Sequence, residues 1–438
     1  MYLKLTLMNL ITLINIKVKF SLILVFTFLT TFFTINLVFL FAKDNNFKAF
    51  YIDTQGLERY TGIIYDKTNY YMVGYQSDIS MKYAIIKLNS DLTLDYAKYY
   101  IPANLDKFNI GLTNLWFDFN NNDELFTGGW YRYGDIDNGI IGKINKNTGN
   151  LKILKNFSNT GEIYLITDRI YLYGATSKGF IFKLNLKDLE IINSKIIFNS
   201  SFCNISSSKD YISTYDYKNN RLLLLNKDLK DCIGFYLSGY QEQTPLIDNE
   251  NNLYLIDSNK KNLGIVISKI SLNNLDMPLL INSKEYFWNN INSKYSGTFL
   301  NDKNIILAIS VQEINTYKNF IKILKINKDN LNITNQIKLV SKKDNIGTRL
   351  MTIFPAINNS FFGVFDINIS GSSLFLRVPD NFEFNINKTL KIHDPMLKTK
   401  NFKYKLNTKK ITLNNTKIIQ KETIKLKEVN VDTFLRKI

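Results

Sequence analysis

Histidine is nearly absent from this 438-residue chain: there is one, His393, with two cysteines (Cys203 and Cys232), three tryptophans and six prolines. A single imidazole excludes multi-histidine metal centres, and two thiols exclude zinc ribbons and iron–sulfur clusters. His393 is followed by Asp394, but the pair comes after the last predicted strand and no nucleophile is set beside it. It is read as a surface or packing residue, not as part of a hydrolase triad. No carboxylate pair stands at a glycosidase-like spacing, and the acidic turns at 118–123 and 248–257 lack the ligand spacing and closing Glu of a calcium loop. No catalytic residue, metal or cofactor is assigned. Glycine is also scarce at 20, whereas asparagine is abundant in the turns.

Acidic residues are few against a basic excess that gives a formal net charge of +17. The excess is unevenly placed. Residues 1–42 carry Lys4, Lys17 and Lys19 and no acid, while residues 396–438 carry twelve Lys/Arg against Glu422, Glu428 and Asp432. The body between them is close to neutral, so no nucleic-acid-binding face is expected.

From Phe20 to Ala42 runs an uncharged apolar stretch of 23 residues bracketed by Lys19 and Lys43. As a helix it would measure about 34 Å, enough to cross a hydrocarbon core of about 30 Å. The run exceeds a signal peptide's apolar region, and Leu40 and Ala42 make a poor cleavage site, which favours an uncleaved anchor over a cleaved signal. The lysines ahead of the span predict a single-pass protein with a cytoplasmic N-terminus (1–19) and an extracytoplasmic body.

Beyond Lys43 helical periodicity gives way to short Ile/Leu/Tyr/Phe runs separated by Asn/Asp/Lys turns, the pattern of strands. One phrase recurs seven times: an apolar strand, a basic residue, an apolar residue, a polar turn and another strand. Its anchors are Lys87, Lys143, Lys183, Leu224, Lys269, Lys325 and Arg377, at steps of 56, 40, 41, 45, 56 and 52 residues. Such a period fits four-stranded propeller blades. The expectation is an all-β, seven-bladed propeller over 43–395, with variable steps due to loop insertions and turns that use Asn or Asp in the left-handed conformation. A sandwich pair or an eight-bladed ring is the alternative architecture. Cys203 and Cys232 fall on the first and fourth strands of one blade, too far apart to pair. The tail 396–438 alternates apolar and basic residues, which suggests one or two further strands.

The turns FNNNDELFTGG (119–129), KINKNTGNL (143–151) and DNENNLYLID (248–257) resemble those of the bacterial quinoprotein-like and NHL-like propeller families. The resemblance implies a propeller fold over roughly 50–392. The blade-docking tryptophans of the quinoprotein type are missing, since only Trp116, Trp130 and Trp288 exist, so no quinone cofactor is expected.

Residues just ahead of each first strand should ring the channel mouth. Glu58, Arg59, Asn114, Glu162 and Arg349 form the candidate ligand-binding set, the two arginines being suited to clamp a carboxylate or phosphate. The expected function is a membrane-anchored, non-catalytic binding or assembly platform. Its partners would be the membrane through 20–42, a protein on one propeller face and an anionic surface for the basic tail. The alternative is a polymer-degrading lyase or hydrolase working at the channel mouth.

Overall fold

The computed structural model describes residues 49–437 apart from the segments 54–57, 77–81, 103–107, 118–122, 134–135, 238–244, 259–263, 275–276, 288–290, 314–318, 342–347, 356–359, 368–372, 379–389, 393–397, 402–407, 417, 419, 422–425 and 431–433. The expected cytoplasmic stretch 1–19, the expected transmembrane helix 20–42 and His393 lie outside the described residues.

The apolar runs form antiparallel strands, and the described strands assemble into seven sheets. Sheet 1 spans 58–102, sheet 2 108–157, sheet 3 163–196, sheet 4 202–236, sheet 5 246–287 and sheet 6 291–341. Sheet 7 joins three strands from 348–378 to Ala49–Asp53 from the other end of the chain. The first strand of each sheet contacts the next sheet, from sheet 1 through sheet 7 and back to sheet 1. The fold is an all-β propeller. All seven anchor residues lie on the third strand of their sheets.

The core lies between sheets. Ile140 and Leu154 of sheet 2 pack with Tyr71 and Ile85 of sheet 1, and Leu307 and Leu324 of sheet 6 with Tyr254 and Ile267 of sheet 5. Cys203 packs into the core between sheets 4 and 5, Cys232 into that between sheets 3 and 4. The two form no disulfide, in keeping with their strand positions. Burial pushes the Cys232 thiol pKa upward, which keeps it protonated and inert.

Two expectations are corrected. The first concerns the strand number: every sheet has five strands, not four. The fifth comes from the C-terminal segment, which runs back around the ring and adds a short antiparallel strand to each outer edge. Leu390–Ile392 pairs with sheet 6, Lys398–Asn401 with sheet 5, Thr408–Lys410 with sheet 4 and Asn414–Asn415 with sheet 3. Gln420–Lys421, Leu426–Asn430 and Phe434–Lys437 then follow on sheets 2, 1 and 7. The basic tail is therefore a belt woven through the ring from residue 390 onward, not one or two appended strands. Ile411 and Leu413 pack onto the core between sheets 3 and 4, and Ile418 is buried between sheets 2 and 3. The alternation read in the sequence reflects these apolar pegs, with Lys409 and Lys410 exposed just ahead of them.

The second correction concerns the turns between third and fourth strands. Their left-handed residue is a leucine in four sheets: Leu92 (φ 67°), Leu189 (60°), Leu229 (57°) and Leu331 (54°). In sheet 2 glycine takes it, at Gly149 (φ 70°). A left-handed leucine costs roughly 1–2 kcal/mol of backbone strain. Burying its side chain contributes about 1.5–3 kcal/mol, and Leu189, Leu229 and Leu331 are 0% exposed. Asparagine serves a different role at the head of the same turns. Asn145, Asn185, Asn226 and Asn327 accept backbone N–H bonds from residues two to five further on.

Leu189→Gly should relieve the strained φ yet lose about 2–5 kcal/mol of stability through the vacated core. A denaturant midpoint equal to or above that of the parent would contradict this balance. Deleting 390–438 should leave the outer strands unpaired at every sheet and turn a monodisperse protein into one that scatters light. A truncated ring that stays monomeric at the parent's melting temperature would show that the belt is dispensable.

Candidate functional site: the channel mouth

The mouth is shaped by what happens on the opposite face, where the turns between strands one and two and between strands three and four meet. In sheet 1, Asp66 Oδ1 accepts from Thr68 N (2.9 Å) and Asn69 N (2.7 Å), which closes the turn. Its Oδ2 accepts from the Tyr71 hydroxyl (3.1 Å) and lies 3.1 Å from Nζ of Lys146 in the next sheet. Sheet 3 repeats the arrangement with Asp168, Tyr173 and Lys227, the last two 3.0 Å from Oδ2. Sheet 5 repeats it with Asp248, Tyr254 (3.1 Å) and Lys328 (3.8 Å). Each cluster ties one sheet's first turn to the following sheet's last turn.

The recurring third-strand lysines act at the same level. In sheets 2, 3 and 5 their stems cross the apolar strands, and the ammonium groups emerge at the next sheet's turn. Lys143 Nζ pairs with Glu124 (2.5 Å), lies over the Phe126 ring (5.7 Å) and donates to the Leu186 carbonyl of sheet 3 (3.2 Å). Lys183 lies 3.7 Å from the Tyr171 ring centre and 4.0 Å from Asp228 of sheet 4. Lys269 lies 5.9 Å from the Tyr254 ring centre and 3.4 Å from Asp329 of sheet 6. The Tyr100 hydroxyl likewise reaches the Gly149 carbonyl, and the Tyr286 hydroxyl the Leu331 carbonyl.

With neighbouring turns tied in this way, extra strand length must emerge at the other face. The first three strands hold 10, 10 and 10 residues in sheet 2 and 10, 10 and 9 in sheet 6, against 5, 6 and 6 in sheet 3. Sheets 1 and 7 are intermediate, with first strands of 8 residues each. Sheets 6, 7, 1 and 2 are consecutive in the ring, so the long strands raise a wall along one side of the mouth. The long anchor steps that suggested loop insertions are thus partly strand extensions.

The four innermost strands of this wall share one irregularity. Each has a β-bulge at the same register, at Thr61, Thr113, Ser296 and Met351. A bulge bends and twists its strand and re-aims the residues beyond it. Arg59 lies two positions before the bulge on sheet 1, paired with Tyr75, and Arg349 takes the equivalent position on sheet 7, paired with Asp366. The structure therefore brings the two predicted arginines to one register on touching inner strands. Glu58 precedes Arg59 at the same strand end. Asn114 follows the sheet 2 bulge and so lies deeper in the channel. Glu162 is separated from Arg59 by sheet 2. Its backbone N–H donates to the Ser177 hydroxyl (2.9 Å), and its carbonyl accepts from Ser177 N (3.0 Å).

Sequence reasoning passed over Lys294, which holds the Arg59 register on sheet 6, opposite Ser310. The signal was present as a local repeat: RYTG at 59–62 and KYSG at 294–297.

The low side of the mouth is closed differently. Asp216 of sheet 4 is fully buried and lies 2.9 Å from Arg221 Nε. It also accepts from Ser201 N (3.1 Å) and Asn219 Nδ2 (2.8 Å). Arg221 further donates to the Ser200 hydroxyl (3.0 Å) and to the Tyr236 hydroxyl (3.2 Å). Among the described residues no group of three or more His, Cys, Asp or Glu is placed to hold a metal ion.

No protein-family model matches the chain, and no curated protein matches it. Among solved structures it is similar to U3-55K, with a TM-score of 0.52 at 10% identity over 76% of this chain and 98% of that one. It is equally similar to the RRP9 WD40 repeats, with a TM-score of 0.52 at 10% identity over 75% and 97%. Similarity to BamB from Moraxella catarrhalis is lower, at a TM-score of 0.40 and 10% identity over 72% and 82%. At this identity the likeness concerns the propeller fold alone.

Burial works against the Asp66 charge, but the Thr68 hydroxyl, the Asn69 and Thr68 N–H groups and Lys146 outweigh it and hold the pKa at about 2. Asp168 is lowered in the same way by backbone N–H groups and Lys227. A carboxylate with a folded pKa below its unfolded value adds stability that is fully present above the unfolded pKa and fades as pH falls through the folded one. Stability should therefore drop between about pH 4 and pH 2, more steeply in the parent than in Asp66→Asn, as read by thermal melts across that range. Identical acid limbs for the two proteins would remove Asp66 from the account.

Proposed function

We propose that the seven sheets are the blades of one closed propeller working as a binding or assembly platform without catalysis of its own. The observation that carries this reading is the belt. Outer sheet edges are ready templates for an incoming strand, and here each is paired by the chain's own C-terminus. What remains for partners is the two broad faces, and the walled mouth makes one unlike the other. Kinship with the bacterial quinoprotein-like and NHL-like propellers belongs to the same proposal and rests on the turn phrases at 119–129, 143–151 and 248–257. So does the placement: the uncharged run 20–42 anchors the chain in the membrane, and the lysines ahead of it direct the body outward. The exposed Lys409 and Lys410 of the belt give an anionic surface a place to meet the perimeter.

A polymer-cleaving activity finds less support. A general acid needs a carboxyl whose pKa is raised toward the working pH. On the turn face the clustered carboxyls Asp66, Glu124 and Asp168 are all lowered by the lysines and N–H groups around them, so none of these three is such an acid.

Proximity labelling with the full-length protein tests the platform reading. Arg132 and Ile136 are exposed at the top of the sheet 2 wall, whereas Asp91 is exposed on the turn face. A protein partner recovered by the parent should be lost with Arg132→Glu/Ile136→Asp and kept with Asp91→Asn. Equal recovery by both variants, or no enriched protein at all, would sink the platform; recovery in the wash after alkaline carbonate would sink the anchor.

A further inference from the structure

The wall carries a charge pattern that the fold does not need. Its inner strands on sheets 6, 7 and 1 place Lys294, Arg349 and Arg59 at one register, each two positions before the shared bulge. These three strands are consecutive around the channel, and each runs against the next. The same register is Gly111 on sheet 2 and Glu162 on sheet 3, so the cations form an arc, not a full ring. In sheets 1 and 6 the arc residue belongs to the repeated phrase of a cation, tyrosine, hydroxyl residue and glycine. Elsewhere the third-strand lysines Lys143, Lys183 and Lys269 have a turn carbonyl or carboxylate of the next sheet as partner, and Lys87 pairs with Asp95 of its own sheet. The arc lies at the opposite end of the strands from those turns. Its facing residues across the ladder are Tyr75, Ser310 and Asp366, so only Arg349 stands opposite an acid. Glu58 on sheet 1 and Glu313 on sheet 6, opposite Ile291, are further acids at this strand end.

We propose that this arc is the recognition site of the mouth and takes a multivalent oxyanion, a ligand with several phosphate or carboxylate groups. Like charges gathered on adjacent strands repel one another, and a bound anion removes that cost while accepting charge-assisted hydrogen bonds. Two arginines and a lysine suit a ligand that presents more than one anionic group, with Arg forking onto one and Lys acting as a point charge. Asp366 then serves as a built-in competitor for Arg349. The assignment rests on the platform reading and names what its walled face would recognise.

Titration calorimetry of the full-length protein with tripolyphosphate and with citrate tests it, and separates phosphate from carboxylate as the preferred group. At least one probe should bind, and Arg59→Gln, Lys294→Gln and Arg349→Gln should each weaken it by about tenfold, the scale of one charge-assisted bond. Arg59→Lys and Arg349→Lys, which keep the charge and lose the fork, should weaken binding less than the glutamine variants, and Asp366→Asn should tighten binding several-fold. Lys409→Gln/Lys410→Gln, which removes two exposed belt charges, should leave it unchanged. Binding of neither probe overturns the proposal, as does an equal loss in the belt variant or a loss with Arg→Lys as large as with Arg→Gln. If the probes fail while wall-dependent partner recovery holds, the arc is refuted and the platform stands.

Discussion

The ionised aspartate at the first turn of sheets 1, 3 and 5 is the constraint from which the rest of the molecule's geometry follows. Each one closes its own turn through backbone N–H groups, holds a buried tyrosine hydroxyl of its own sheet and reaches a lysine of the next. The tyrosines in turn are pushed upward in pKa by burial and by these carboxylates, so they remain neutral donors. With turn ends tied at one face, strand length becomes a free variable only at the other. Long strands in four consecutive sheets then produce a wall, whereas free sliding of the sheets would merely have produced a taller ring. The asymmetry of the mouth is thus a consequence of chemistry on the far side of the molecule.

Both chain ends are needed to complete the ring, and they do so in different ways. Ala49–Asp53 supplies the fourth strand of sheet 7, pairing on one side with Ser373–Val378 and on the other with Phe434–Lys437. The last sheet therefore contains the first and the last described strands of the chain. Its long-range pairings cannot form until synthesis is nearly finished, and contacts so distant in sequence are slow to close. The belt adds edge protection with little burial at each step, for it pairs over as few as two residues on sheets 2 and 3. Its hold is distributed around the perimeter through apolar pegs such as Ile418, which suits a segment whose lysines must stay solvated between the pegs.

Much of this was legible in the chain. Six of the seven anchors are basic, and in sheets 2, 3 and 5 the lysine crosses an apolar strand and ends at a polar turn, a need that imprints a basic residue on the repeat. The first-strand and second-strand runs were legible for the same reason, being apolar, aromatic and bounded by turn residues. The belt was not, because a strand of two to five residues leaves no period to detect. Its partners are also hundreds of positions away, as with Ser194 and the Thr416 carbonyl. The left-handed leucines were missed because turn chemistry points to Asn, Asp or Gly, and only the buried environment of Leu189 or Leu331 shows what offsets the strain. At the mouth, Arg59 and Arg349 could be picked from their place ahead of a strand, but their equivalence required the bulge register. Lys294 was hidden by a ten-residue strand that begins three positions earlier.

Sheet 4 shows how the low side of the mouth uses its charge differently. It carries Leu224 where the other sheets have a basic anchor, and Ser208 in place of the turn aspartate. Ser208 meets Asn251 of sheet 5 at 2.7 Å, and Asn251 in turn donates to Asp210, so the inter-sheet tie is kept with neutral groups in place of the ion pair. The charge missing from the turn face reappears at the mouth face as the Asp216–Arg221 pair, shut in by Ser200, Ser201, Asn219 and Tyr236. A buried pair enclosed in this way is costly to break. Sheet 4 has therefore spent its arginine on closing the mouth, while sheets 6, 7 and 1 carry theirs on strands that extend past the ring. A ligand arriving at this face would find the arginine of the low side enclosed, with Lys178 and Lys218 on its turns, and the cations of the other side on extended strands, so the two sides differ in where their charge is held.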